Sequence, residues 1–451
     1  MGSEFQTAAV AELDRRILND PGIDTQLFER LVASQRELGL LHGDRPICPF
    51  LRPHILGREQ YECISRAAET IAGAFEKLAT HALSDDKILS ELGLTANELR
   101  MVRIDPGYSA ICVTSRLDAY LSESGFQFLE YNAEDPAGIG DQMQLLKLIC
   151  LLDQNKEFLE TYAHWRPEPH RLLLKSLIAT YREWGGEEDR PRIAIVDWKG
   201  VPTESEFLIL RQYFEAEGHP TMIVDPRELQ YDGDRLRARE SAVDILYKRV
   251  IIHELLDRME STDALVRAYA DGRVCMVNSF RCKLAHKKAG FAILSDPRYE
   301  NLFTTREIEA ARKHIPWTRR VQPSTTVFEE SEHDLLNLIR RERHRFVMKP
   351  NDDYGGRGIF IGWEMDEAAW SGAIDLALTG SYVVQERAPA TKVSIPMFSD
   401  RVRSEEMFID FNPFLFHNKV EGAMVRLSSS SLLNITTGGG EAALLILENM
   451  Q

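Results

Sequence analysis

A mixed α+β and α/β protein is what the sequence predicts, on three observations. Through the first hundred residues apolar side chains recur every three or four positions, as in Ile64, Ala67, Ala68, Ile71, Ala72, Phe75 and Leu78, the period of an amphipathic helix. Between 108 and 132 the period falls to two, the signature of strands with one polar face. From about 190 short apolar runs alternate with helical stretches, the pattern of a small open parallel sheet.

In chain order, Met1–Phe5 reads as a cloning remnant and residues 6–100 as a helical N-terminal region that supplies packing. Residues 101–185 hold the period-two segment. Ile111, Val113, Leu117 and Leu121 alternate with Thr114, Arg116, Asp118 and Tyr120; residues 122–125 make a turn; and the chain returns over 126–132, a β-hairpin. Helices are expected over 143–152 and 169–184, and the Gly-, Glu- and Pro-containing stretch 185–191 marks a boundary. Residues 186–275 read as the small α/β unit, with strands near 192–196, 222–224 and 245–247 and a helix over 204–218. No Gly-x-Gly-x-x-Gly follows its first strand, which speaks against a dinucleotide there. In residues 276–451, helices over 283–294, 305–314 and 334–340 lead into strands near 346–349, 359–363, 382–385 and 406–411.

A chain 44% hydrophobic and 27% charged is globular rather than disordered. Its formal net charge of -16 repels phosphate backbones, which argues against a nucleic-acid binder or an anionic-membrane binder. No apolar run approaches the roughly 18–20 residues a membrane span needs, and no export signal is visible. Six cysteines without C-x-x-C spacing suggest reduced thiols and a cytoplasmic setting. The twelve histidines show no ligand spacing.

Two segments carry chemistry. In the first, a strand ends at Lys349, a loop with Gly355, Gly356 and Gly358 follows, and another strand begins. Glycines let backbone N–H groups turn toward an anion, and a lysine adds a mobile charge. A Walker A loop would run into a helix, so this is not one. A phosphate cradle and a plain glycine-rich hairpin are both open readings. The second is Arg116-Leu-Asp118 with Glu130-Tyr-Asn132. Residues two apart on a strand share a face, so the hairpin brings all four together. Two carboxylates and an amide oxygen are hard donors of the kind Mg²⁺ takes, and Arg116 beside them suits a phosphoryl group in transfer. The other open reading is a solvated cross-strand ion pair.

Together these segments, with Val383-Val-Gln-Glu386, resemble the ATP-grasp superfamily in its circularly permuted branch. The phrase Leu129-Glu-Tyr-Asn-Ala-Glu-Asp-Pro136 is similar in wording to the synthetase domain of the glutathionylspermidine synthetases. The Glu-x-Asn strand stands ahead of the lysines, which is the permuted order. The resemblance, spanning roughly residues 100–440, implies an ATP-grasp fold. It implies Asp118, Glu130 and Asn132 as Mg²⁺ ligands and Arg116 as the phosphoryl-stabilising residue. It implies Lys349 and Lys288 as phosphate contacts, with Lys287 its neighbour and Lys283 a weaker candidate, and Gly355, Gly356 and Gly358 as a flap over ATP. Gln385, Glu386 and Arg387 would form the hinge at adenine.

The activity so implied is an ATP-dependent carboxylate–amine ligase working through an acylphosphate, its partners a small-molecule acid and amine. A phosphotransferase on the same site and a non-catalytic nucleotide binder are the alternatives. The sequence departs from the pattern in lacking an amidase half and a recognisable polyamine or glutathione pocket, so the substrates are not named by it. Three further places remain open. Asp410-Phe-Asn412 is either a substrate contact or a strand-end turn with a capping Asn. Arg426 and Thr436–Gly440 form either an anion cradle or a flexible turn. Lys248-Arg249 is either a carboxylate contact or a solvated basic pair.

Overall fold

The structure is a computed structural model in which residues 4–123, 125–353, 355–398, 401–430 and 439–448 are described. Its centre is a six-stranded antiparallel sheet that joins distant parts of the chain. The early hairpin, strands Thr114–Ser122 and Gly125–Asn132, lies beside the late strands Val402–Phe416 and Lys419–Ser428, with Gly440–Ala442 at the far edge and Lys392–Phe398 pairing Val402–Phe416. The expected strand near 108–113 is not strand; pairing begins at Thr114.

Alternation explains which way the hairpin faces. Tyr131, between Glu130 and Asn132, packs on Phe75 of the helix Arg58–Ala82 at 4.8 Å between ring centroids. Leu117, between Arg116 and Asp118, is fully buried in the same apolar cluster. With the apolar residues committed to the helix side, the four polar ones must face the other way. The helix buries Ile64, Ala67, Ala68, Ile71, Ala72, Phe75 and Leu78, the stripe its sequence predicts.

A four-stranded parallel sheet in the order Cys275–Val277, Ile245–Lys248, Ile193–Val196, Thr221–Val224 forms the α/β unit. A second four-stranded sheet carries Thr318–Arg320, Tyr382–Glu386, Phe346–Pro350 and Phe360–Ile361 over its own core around Trp370, Ile374 and Met348. Strand His54–Gly57 runs parallel to Leu444–Leu447, so an early and a late segment of the chain share one sheet.

Glu4 and Phe5 begin the helix Glu4–Leu18, and Phe5 packs edge-on against Tyr162 at 5.8 Å. One helix expectation is corrected. The helix expected over 283–294 is two, Lys283–His286 and Ala289–Leu294, because Lys287 turns extended (φ -60°, ψ 125°). Gly290 lets the second piece approach closely: a Cβ there would meet Phe75 Cε1 at 2.5 Å. No helix among the described residues is long and apolar enough to cross a membrane. All six cysteines are free; Cys63 is exposed and Cys150 half-buried, the other four buried.

Candidate active site

In register, Arg116 opposes Asn132 and Asp118 opposes Glu130, with a bulge between Asp118 and Ala119. A bulge re-aims side chains, and Asn412 stabilises it by accepting the Ala119 N–H at 3.1 Å. Arg116 donates to both oxygens of Asp118, at 2.7 and 3.0 Å, and to the Ala137 carbonyl at 2.9 Å. Asn132 donates to Asp118 Oδ1 at 3.0 Å. From the neighbouring strands Arg426 reaches Asp118 at 2.8 Å and Asp410 at 2.6 Å. Burial pushes the Asp118 carboxyl up, but the two guanidinium groups outweigh it and hold it below its ordinary value.

Glu130 points to the lysines. Its Oε1 lies 2.8 Å from Lys288 Nζ, and that ammonium, against the opposing effect of burial, keeps the carboxyl below its ordinary range. Lys349 donates to Gln385 at 2.8 Å and faces Glu130; burial brings its ammonium down to about 8. Gln385 is held in turn by Thr318 at 3.1 Å. The three carboxylates Asp118, Glu130 and Asp410 thus face the four cations Arg116, Arg426, Lys288 and Lys349, a surplus that suits a polyanion.

These residues border two cavities. One, of about 490 Å³, is lined by Lys349, Gln385, Glu386, Arg387 and Trp363 with the apolar Val347, Ile361 and Phe408. The other, of about 450 Å³, is lined by Arg116, Asn132, Asp135, Asp141, Asp197, Glu206 and Arg249, with Gly355 and Gly356 on its rim. Asp118, Glu130 and Arg426 line both. Gly355, Gly356 and Gly358 all have positive φ, 67°, 79° and 66°, which glycine alone adopts freely. The structure sets Gly355 and Gly356 at the second cavity rather than over Lys349. Glu386 pairs with Arg345 at 2.7 Å, and Arg387 lies over the Trp363 ring at 4.4 Å.

The two candidate lysines separate cleanly. Lys288 faces Glu130, whereas Lys287 and Lys283 are paired with Glu98, Glu134 and Asp352 away from it. Asp410 and Asn412 are not a strand-end turn: both are buried mid-strand. Arg426 is not in a flexible turn but mid-strand in Lys419–Ser428; residues 436–438 of the neighbouring glycine run lie outside the described residues. Lys248 and Arg249 are not solvated; both are buried, and Arg249 donates to the Pro136 carbonyl and Glu206. A lone charge inside an apolar strand, as in Ile-Asp410-Phe or Val-Arg426-Leu, was the available signal for these residues, since an unpaired charge is too costly to bury.

For a divalent cation the donor set fits. Two carboxylates stand opposite each other on adjacent strands beside an amide, all hard oxygen donors, and their charge is at present balanced by Arg426 and Lys288.

No known protein family and no curated protein matches the sequence. Among solved structures, a glutathione synthetase-like effector from Globodera pallida in apo form is similar at 14% identity, over 95% of this chain and 98% of that one, with a TM-score of 0.57. A putative γ-glutamylcysteine synthetase from Methylobacillus flagellatus KT is 11% identical over 87% and 89% of the two chains, with a TM-score of 0.45. A D-alanyl-alanine synthetase from Vibrio cholerae is 10% identical over 49% and 68%, with a TM-score of 0.28. Only the first exceeds 0.5, and over nearly the whole of both chains it shows a shared fold. The chain has an ATP-grasp-like fold of mixed α and β structure.

Proposed function

We propose that the protein is an ATP- and Mg²⁺-dependent carboxylate–amine ligase that forms an amide through an acylphosphate. The observation that carries this reading is the shared wall: Asp118, Glu130 and Arg426 line both cavities. A phosphoryl group leaving a nucleotide in the first cavity needs only to cross that wall to reach an acceptor in the second. The apolar and aromatic lining beside Gln385 and Glu386 suits a base, and Lys349 with Lys288 suits its phosphate tail. The strand order, with the Glu-x-Asn strand preceding the lysines yet sharing a sheet with residues 402–428, supports the permuted arrangement.

In this mechanism Asp118, Glu130 and Asn132 would hold Mg²⁺, which supplies charge neutralisation to the phosphates. Lys288 and Lys349 gather phosphate oxygens. Arg116 and Arg426, both bonded to Asp118, present guanidinium charge where the transferred group passes. The acceptor carboxylate takes the phosphoryl group, and the amine then attacks the carbonyl carbon and expels phosphate. No protein nucleophile is required; the protein positions reactants and excludes water.

The test is incubation with ATP, Mg²⁺, pooled carboxylic acids and hydroxylamine. Hydroxamate accumulating with ADP is expected. A stable phosphate ester without hydroxamate identifies a phosphotransferase instead, and absence of ATP binding removes the nucleotide reading altogether.

A further inference from the structure

Beside the candidate site lies a second charge cluster that the reaction does not use, buried except where Asp352 and His286 reach the second cavity. Two residues beyond the strand that carries Glu130 and Asn132 stands Glu134, whose carboxylate takes the Lys283 ammonium at 2.5 Å and the Ile252 N–H at 2.8 Å. Lys283 also reaches Asp352 Oδ1 at 2.6 Å, and Lys287 reaches Asp352 Oδ2 at 2.6 Å and Glu98 at 2.9 Å. Glu134, His286 and Asp352 come within 4.8 Å of one another, a spacing suited to a metal. Here, however, the Lys283 ammonium sits between the two carboxylates and takes the cation's place.

What makes the cluster consequential is where Asp352 sits. It is in the root of the glycine-rich loop, between Asn351 and Asp353. The root is gripped by the helix break at 287–288: Lys288 N–H donates to the Asn351 carbonyl at 3.0 Å, Ala289 N–H to Asn351 Oδ1 at 2.8 Å, and Lys288 Nζ to the Asp353 carbonyl at 2.8 Å. So the lysine that faces Glu130 also touches the loop root, and the loop root carries a carboxylate that both other lysines share, as they share Glu98. The two lysines hold Asp352 well below the ordinary aspartate range despite its burial.

We infer that Asp352 is a positioning residue: by accepting from Lys283 and Lys287 it docks the root of the glycine-rich loop on the helix break, and so sets where Lys288 and the loop backbone stand against a nucleotide's phosphates. Removing one member of a buried ion cluster leaves the others uncompensated, and here the member removed is the one that belongs to the loop. The loop then opens more often while the rest of the fold stays closed. The same cluster holds Glu134, one residue from Asp135 on the second cavity, so the loop root is fixed to the acceptor side as well.

The loop contains its own probe. Arg357 is exposed between Gly356 and Gly358, and trypsin cleaves after arginine. Asp352→Asn should accelerate the cut at Arg357 about tenfold or more, since cleavage tracks the open population, with little change in the rate of global unfolding. Glu98→Gln, which disturbs Lys287 and Lys283 but does not belong to the loop, should leave that cut near its wild-type rate. By calorimetry Asp352→Asn should weaken ATP about tenfold and leave adenosine unchanged. The calorimetric arm rests on the nucleotide reading above; the proteolytic arm does not, so wild-type protein that binds no ATP would sink that reading while trypsin still decides the anchor. Unchanged cleavage in Asp352→Asn, or equal acceleration in Glu98→Gln, overturns the inference. Should Asp352→Asn not fold, Lys287→Met removes one of the two cations on Asp352, and an unaltered cut at Arg357 in that variant overturns it equally.

Discussion

The two cavities are nearly equal in size, about 490 and 450 Å³, and differ in how well their carboxylates are matched by cations. Around the first, the carboxylates have cations close by: Lys288 holds Glu130 below its ordinary range and Arg116 and Arg426 hold Asp118 below its own. Around the second, acids outnumber the bases that would balance them. Burial pushes Asp135 up to about 7, Asp197 up to about 6 and Asp141 well above its ordinary value, while Arg249 is shared with Glu206. Near-equal volumes with unequal matching mean that the wall of Asp118, Glu130 and Arg426 separates a cavity whose acids have close cations from one whose acids are left largely to burial.

The largest effect that would break this division is at the wall. Glu130→Ala removes the carboxylate that faces both lysines and both cavities, and turnover of ATP to ADP should fall by about a thousandfold or more. The fold should survive, since Glu130 is half-exposed to the cavities and Tyr131 keeps its packing on Phe75. A variant retaining most of its activity, with an unaltered melting curve, removes Glu130 from the site. A smaller effect is expected at the cationic end. Lys349→Ala should weaken ATP about tenfold to a hundredfold and leave adenosine where it was, because Lys349 is assigned the phosphate tail and not the base. Titration calorimetry with both ligands decides it; equal losses for the two would mean that the lysine shapes the pocket rather than reading charge.

How much of this was legible before coordinates depends on how far apart the partners are. The facing of Glu130 and Asn132 follows from strand period alone, because Tyr131 between them must go to the core. The glycine loop and its lysine could be placed for the same local reason. The helix stripe from Ile64 to Leu78 was equally plain. What escaped is set by sheet order across nearly 300 residues. Nothing near Asp118 announces that Arg426 will complete its shell, and Asp410 reads as a turn until Val402–Phe416 is seen to lie beside Thr114–Ser122. Lys248 and Arg249 look solvated because basic pairs usually are; their burial depends on Glu206 and Pro136 arriving from other elements. The break at Lys287 was hidden for another reason: local propensity favours a continuous helix, and the Asn351 and Asp352 contacts that override it come from 62 or more residues away.

The charge contrast between the cavities has a further consequence, which stability alone can read. Asp135 is pushed up to about 7, first by burial and then by the neighbouring Glu134, against the opposing pull of Arg249 and Lys248. An unfolded chain ionises the same carboxyl near 4. Between those two values the folded protein holds a proton that the unfolded chain has lost, so the contribution of Asp135 is fully present below about pH 4 and is lost as pH rises through about 7. Asp135→Asn carries no titrating group there. Its stability relative to wild type should therefore improve by about 1 kcal/mol per pH unit between roughly pH 5 and 7 and level off above. Urea unfolding of both proteins across that range measures it. If the two curves stay parallel at every pH, Asp135 titrates as an ordinary surface aspartate, and the second cavity does not have the uncompensated acidity that sets it against the first.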